Sequence, residues 1–181
     1  MPEPTLIDKL TNESNTWLNA CRLEDVGNYA DAIILYLNDA TESLKIGSLV
    51  RAGLSCSCAA DCLVKFRVEV LPKKLYFRAA TIYMELTKFA THRSIQEWLW
   101  SLQKAYENFV LAGETSIAET VLEEYMGLAT KIQPSVKESK PTILKSNIKT
   151  SVPTQPSMDL PENVVNTVNL FLEQQIFLPR I

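Results

Sequence analysis

The stretch "EDVGNYADAIILYLNDA", residues 24 to 40, decides how the rest of the chain is read. Gly27 and Asn28 interrupt an apolar pattern. Tyr29, Ala32, Ile33, Tyr36 and Ala40 then recur at the spacing that lines one face of a helix. A glycine just past the last periodic residue stops a helix, because it enters the left-handed backbone region without a side-chain clash. The stretch therefore reads as the elbow of a helical hairpin. Whether that hairpin stands alone depends on what flanks it.

Upstream, Leu6, Leu10, Trp17 and Cys21 stand at roughly helical spacing behind Thr5 and Asp8, which have the form of a capping box. Downstream, the second helix runs from about 28 to 45 and stops at Gly47. A third, about 48 to 66, carries Leu54, Cys58, Cys62 and Phe66 on one stripe. "RVEVLPKK" reads as a short extended break, since Val is β-branched and Pro72 disfavours helix at the residue before it. The fourth helix, about 73 to 89, carries Ala79, Ala80, Tyr83, Leu86 and Phe89. Ser94 and Glu97 form a capping box for a fifth helix that ends at Gly113. Ser116 and Glu119 repeat the box for a sixth, running to about 132. Turns within pairs then fall at 27, about 70 and 113, and turns between pairs near 47, 90 and 133, an interval of 43 in each series. This predicts an all-α, antiparallel stack of three helical hairpins over residues 1 to 132, each burying its apolar face on the next.

Residues 133 to 160 hold four Pro, five Ser, three Thr and four Lys, the composition of a flexible linker. Residues 161 to 181 carry a tail helix, with Val165, Val168, Leu172 and Ile176 on one stripe and Val164 and Phe171 beside it. So short a helix has little stability alone in water. Its stripe needs a surface, on the chain's own array, on a second copy in a homodimer, or on another protein.

Residues 20 to 36 resemble a tetratricopeptide repeat. Ala20 and Leu23 match its small and large first-helix positions, Gly27 and Tyr29 its turn, and Ala32 and Tyr36 its second-helix packing pair. Phe109, Gly113, Ala118 and Leu122 fit the same pattern, while the middle hairpin departs from it and the period is longer. "LYFRAATIYMEL" is similar to the extended hairpins of soluble NSF-attachment proteins, and "EDVGNYADAIILYLNDA" resembles the first two helices of a microtubule-interacting-and-trafficking domain. The resemblance covers residues 12 to 132. It implies a right-handed array that binds protein or peptide, and it carries over no catalytic residue.

Charge points the same way. Residues 1 to 132 hold 13 Lys+Arg against 17 Asp+Glu, and the later residues 5 against 4. An acidic body repels phosphate, which argues against nucleic acid. No segment has the apolar length of a membrane span, and the first residues lack the form of a signal peptide, so a cytoplasmic protein is expected. The five glycines form no phosphate-cradling run, which leaves no cofactor implied.

The cluster "CSCAADC" places Cys58 and Cys62 four apart on one helix face, with Cys56 nearly opposite. A zinc site needs four converging N/S ligands. A metal- or ligand-binding bundle built on Cys58, Cys62 and the single histidine, His92, is the alternative; packing of thiols as small hydrophobes is the reading preferred. Asp61 would raise a nearby thiol pKa rather than lower it. With no nucleophile elbow or oxyanion loop near His92, the expected function is a non-enzymatic adaptor that takes a helix or extended peptide in a groove lined by the first helices of the hairpins. Its candidate contacts are Trp17, Arg22, Arg51, Lys65, Trp100 and Lys104. A second alternative is a membrane-trafficking module whose tail helix is the bait for another helical domain.

Overall fold

A computed structural model describes residues 15–90, 94–132 and 159–174. Seven helices run through these residues, with no strand among them. They are α1 (Thr16–Asp25), α2 (Tyr29–Lys45), α3 (Leu49–Val64), α4 (Val70–Ala90), α5 (Ile95–Ala112), α6 (Thr115–Ile132) and α7 (Glu162–Glu173). From α1 to α6 each helix packs on the next, and α7 returns to lie across α2 and α4.

Three of the turns are built alike. At Gly27, Gly47 and Gly113 the backbone is left-handed, with φ of 79°, 73° and 85°. In each, the glycine N–H and the N–H after it donate back into the helix that is ending. At the first turn Gly27 N reaches the Glu24 carbonyl at 2.9 Å and Asn28 N the Leu23 carbonyl at 2.8 Å. The same pair of bonds closes α2 and α5, and satisfies carbonyls that the helix end would otherwise leave without a partner. Asn28 then caps α2: its side chain accepts from Asp31 N at 3.4 Å and donates to the Asp31 carboxylate at 2.8 Å. The expected stops at Gly27, Gly47 and Gly113 are all present.

The middle of the chain differs from expectation. The turn after α3 closes through successive three-residue bonds and places Arg67, not a glycine, at φ 57°. Left-handed residues stand at 27, 67 and 113, near the turns predicted at 27, about 70 and 113, and the two intervals between them are unequal. The extended break predicted at "RVEVLPKK" is overturned, because α4 already begins at Val70. Pro72 is accommodated in its first turn, where a missing N–H costs no intrahelical bond. At the start of α6, Ser116 lies inside the helix rather than capping it. Ser94 does cap α5, accepting from Gln96 N at 3.2 Å.

Two apolar clusters fill the interior. The larger joins α1 to α4 with α7 through Ile33, Tyr36, Leu37, Leu63, Leu75, Val164, Val168 and Phe171. The smaller joins α4, α5 and α6 through Tyr83, Leu102, Phe109, Ala118 and Val121. Gly53 in α3 is where they meet. A Cβ there would stand 2.8 Å from the ring of Tyr83, which is only 1% exposed and packs edge-on to Trp100 at 5.6 Å. The absent side chain thus lets an aromatic of the second cluster close on the first.

The tail helix turns a different face inward from the one predicted. Val164, Val168 and Phe171 are buried; Val165 and Leu172 are only half-buried, and Ile176 lies outside the described residues. Residues 164, 168 and 171 place the largest apolar side chain of the helix, Phe171, in the interior, at 1% exposure. Residues 133 to 158 of the linker predicted over 133 to 160, the capping box at Thr5 and Asp8, and His92 also lie outside the described residues.

Candidate functional site

The feature most suggestive of function is the surface of α2 and α4 that holds α7. Its apolar part receives the α7 stripe of Val164, Val168 and Phe171. Its polar part sits at one end. The Thr41 hydroxyl of α2 donates to the side-chain carbonyl of Gln174 at 3.3 Å, and the Arg78 guanidinium of α4 donates through Nη2 to the Gln174 backbone carbonyl. The same guanidinium lies over the Phe171 ring, 5.9 Å from its centroid. Gln174 is the residue that leaves α7, with an extended backbone at ψ 131°. Carbonyls in the last turn of a helix lack intrahelical donors and carry the negative end of its dipole, so a cation there is favourable. The other end has no such device, since Pro161 precedes α7 without a side-chain capping bond.

Arg78 itself is half-buried, and its Nε is enclosed without a hydrogen bond among the described residues. Burial lowers its pKa from the usual guanidinium value. Its ring contact with Phe171 and its bond to Gln174 are what offset that desolvation.

Beside this end opens a cleft of about 770 Å³. Val70, Lys73, Lys74, Phe77, Arg78 and Thr81 of α4 form one wall, Ala112 and Glu114 of the α5–α6 turn another, and Asn169, Leu172 and Glu173 of α7 the third. Phe77 is 42% exposed there and meets Phe109 edge-on at 5.7 Å.

The six candidate contacts predicted from helix position lie elsewhere. Trp17 packs half-buried against the larger cluster, with its Nε1 enclosed and unbonded among the described residues. Arg22 and Lys65 are exposed, and the Lys65 ammonium stands 6.0 Å from the centre of the Tyr29 ring. Arg51 is also exposed but is engaged within the chain: it forks onto Asp39, Nη2 to Oδ1 at 2.6 Å and Nε to Oδ2 at 3.0 Å, and reaches Asn15 at 3.1 Å. Ser55 completes the carboxylate's shell at 2.6 Å, and Asp39 is buried beneath them. Trp100 and Lys104 stand one turn apart on α5. Trp100 is 39% exposed, while Lys104 pairs with Glu107 at 2.8 Å. Trp98 is half-buried against the smaller cluster.

The four cysteines are free thiols. Cys56 and Cys62 are buried, and the Cys56 S–H points at the Leu75 carbonyl, 3.3 Å away. Burial pushes all three thiols of the cluster up, Cys58 to about 12 with Asp61 adding to the rise, so none is thiolate near neutrality. Among the described residues no three His, Cys, Asp or Glu side chains converge to hold a metal ion. Around these thiols, Tyr36 donates to Glu24 at 2.7 Å and Tyr76 to Asp61 at 2.5 Å. The pairs tie α1 to α2 and α3 to α4.

Thr41, Lys73, Lys74, Phe77 and Arg78 were not among the residues expected from the sequence. The signal available was "KKLYFR", residues 73 to 78, where three cations flank two adjacent aromatics on a helix already needed for the core. No helix among the described residues is long and apolar enough to cross a membrane. Comparison with known protein families, with curated proteins and with solved structures finds no match, so function is argued from this geometry.

Proposed function

We propose that this chain is a non-enzymatic adaptor that binds amphipathic helices of partner proteins on the α2–α4 surface, with its own α7 as the resident occupant. The observation that carries this reading is α7 itself. It is a separate amphipathic helix, reached through 29 intervening residues, that buries Val164, Val168 and Phe171 on that surface and is bonded at its end by Thr41 and Arg78. Recognition of a helix by an apolar stripe in a helical groove is a recurrent mode of peptide binding. A tethered helix meets its site at an effective concentration in the millimolar range, so an external helix must outcompete it.

In the same reading the stack consists of three successive hairpins, α1–α2, α3–α4 and α5–α6, similar to a tetratricopeptide array. Two side-chain bridges support it by joining first helices to one another: Arg51 to Asn15 between α3 and α1, and Ser57 to Asn108 at 2.9 Å between α3 and α5. They would line the opposite groove, where the exposure of Trp100 favours a second contact surface.

The test uses the full-length chain carrying Val168→Asp and Phe171→Asp, which removes the apolar anchor of α7. A labelled peptide of residues 159–174 should then bind saturably, and far more weakly to the unaltered chain. Absence of binding by a folded variant would sink the adaptor reading. Capture of another helical domain by the peptide in that case would favour the bait alternative.

A further inference from the structure

Two features of the α7 site have no counterpart at its other end. One is the Arg78 guanidinium, which at once faces the Phe171 ring and donates to the carbonyl of Gln174. The other is the charge beside it. Lys73 and Lys74 line the α4 wall of the same cleft as the last turn of α7, with Glu114 on the neighbouring wall and Glu173 on α7 itself, so the cations that meet the negative end of the helix dipole stand on α4. A helix laid on the surface in the reverse direction would bring its positive end to those cations and would offer Arg78 no free carbonyl.

We propose that Arg78 is the specificity-determining residue of this surface, selecting amphipathic helices that run in the direction of α7, carry apolar residues at first, fifth and eighth positions with an aromatic at the eighth, and end within one turn of it. The proposal rests on the adaptor reading above and adds to it the chemistry of the partner. The aromatic is required because a planar guanidinium gains from a ring face what an aliphatic side chain cannot supply. The helix end is required because Arg78 donates to a carbonyl that a continuing helix would use for its own i→i+4 bond. Lysine does not substitute, since an ammonium lacks the planar fork that serves ring and carbonyl together.

The experiment is a double-mutant cycle on the Val168→Asp, Phe171→Asp full-length chain, read as binding of labelled 159–174 peptides. Arg78→Met should weaken the native-sequence peptide by about tenfold, and Arg78→Lys by nearly as much. A peptide with Phe171→Leu should lose affinity for the chain that retains Arg78, and lose much less on the Arg78→Met chain. A peptide lengthened by a further helix-forming turn in place of Gln174 should behave like the Phe171→Leu peptide. The peptide variants leave the receptor unchanged, so they decide the matter even if Arg78→Met destabilises the fold. Equal binding of all peptides to the chain retaining Arg78 would overturn the proposal while leaving the adaptor reading intact. Failure of every peptide to bind would overturn both.

Discussion

Two different constraints require glycine in this chain, and one substitution separates them from each other and from a position where neither acts. Gly27 and Gly113 are left-handed, and a Cβ at either would meet no atom within 4 Å, so alanine is opposed by backbone conformation alone. Gly27→Ala and Gly113→Ala should each cost about 1 kcal/mol in denaturant unfolding. Gly53 is the reverse case: its backbone is helical, but Tyr83 leaves no room. Gly53→Ala should cost about 1–3 kcal/mol by overpacking, because the buried Tyr83 ring, which also packs edge-on to Trp100, would have to shift to admit the methyl. Gly127 is helical with open space around its Cβ position, and Gly127→Ala should stabilise by up to about 1 kcal/mol. Should Gly53→Ala prove neutral, the close approach of α3 and Tyr83 is not a constraint. The roles of Gly27 and Gly113 were legible in the sequence, since a helix stop is written within a few residues. That of Gly53 was not, because its neighbour is thirty positions away.

Among the elements, α7 shows how far periodicity carries. A stripe of Val165, Val168, Leu172 and Ile176 and a stripe of Val164, Val168 and Phe171 are both legitimate faces of one amphipathic helix. Choice between them belongs to the receiving surface, which offers Phe171 an apolar seat and a guanidinium and leaves Leu172 at the lip of the cleft. Phe171→Asp should therefore release α7, with loss of amide hydrogen-exchange protection across residues 162–173, while Leu172→Asp should leave most of that protection in place. Equal loss in both variants would show that the face is set by the wider stripe. The third helix makes a parallel case. With Cys56 and Cys62 buried and Cys58 half-buried as neutral thiols, Cys58→Ala with Cys62→Ala should cost roughly 1–3 kcal/mol through lost volume, at unchanged helical content. Stoichiometric zinc in the native protein, absent from that double variant, would refute a packing role.

At the scale of the whole molecule, three tyrosines join the layers. Tyr36 bonds Glu24, Tyr76 bonds Asp61, and Tyr83 closes on α3 and α5. Burial raises the pKa of all three phenols above the ordinary value. An unfolded tyrosine ionises near pH 10, whereas these remain protonated in the folded chain, so the stability they contribute is fully present below about pH 10 and is lost as pH rises beyond it. Alkaline titration followed by ultraviolet absorbance should show three phenols ionising only as the helices melt. Their ionisation near pH 10 with helicity intact would remove them from the core.

What the sequence by itself determined is the set of helices and most of their ends, because caps, glycine stops and apolar periodicity act within five residues along the chain. "EDVGNYADAIILYLNDA" shows it: the Gly27 elbow and the buried face of Ala32, Ile33, Tyr36 and Ala40 are present in the folded chain. Where local signals conflicted, as at Val70 to Pro72, the proline rule alone misplaced a helix start that the first-turn position of Pro72 permits. Only the tertiary structure decided the inward face of α7, the meeting of Gly53 with Tyr83, and the assembly of Thr41, Phe171 and Arg78 around one helix end. The physical reason is separation in sequence. Thr41 and Gln174 lie 133 residues apart, and Arg78 and Gln174 lie 96 apart. No local pattern records a contact that exists only after the stack has formed.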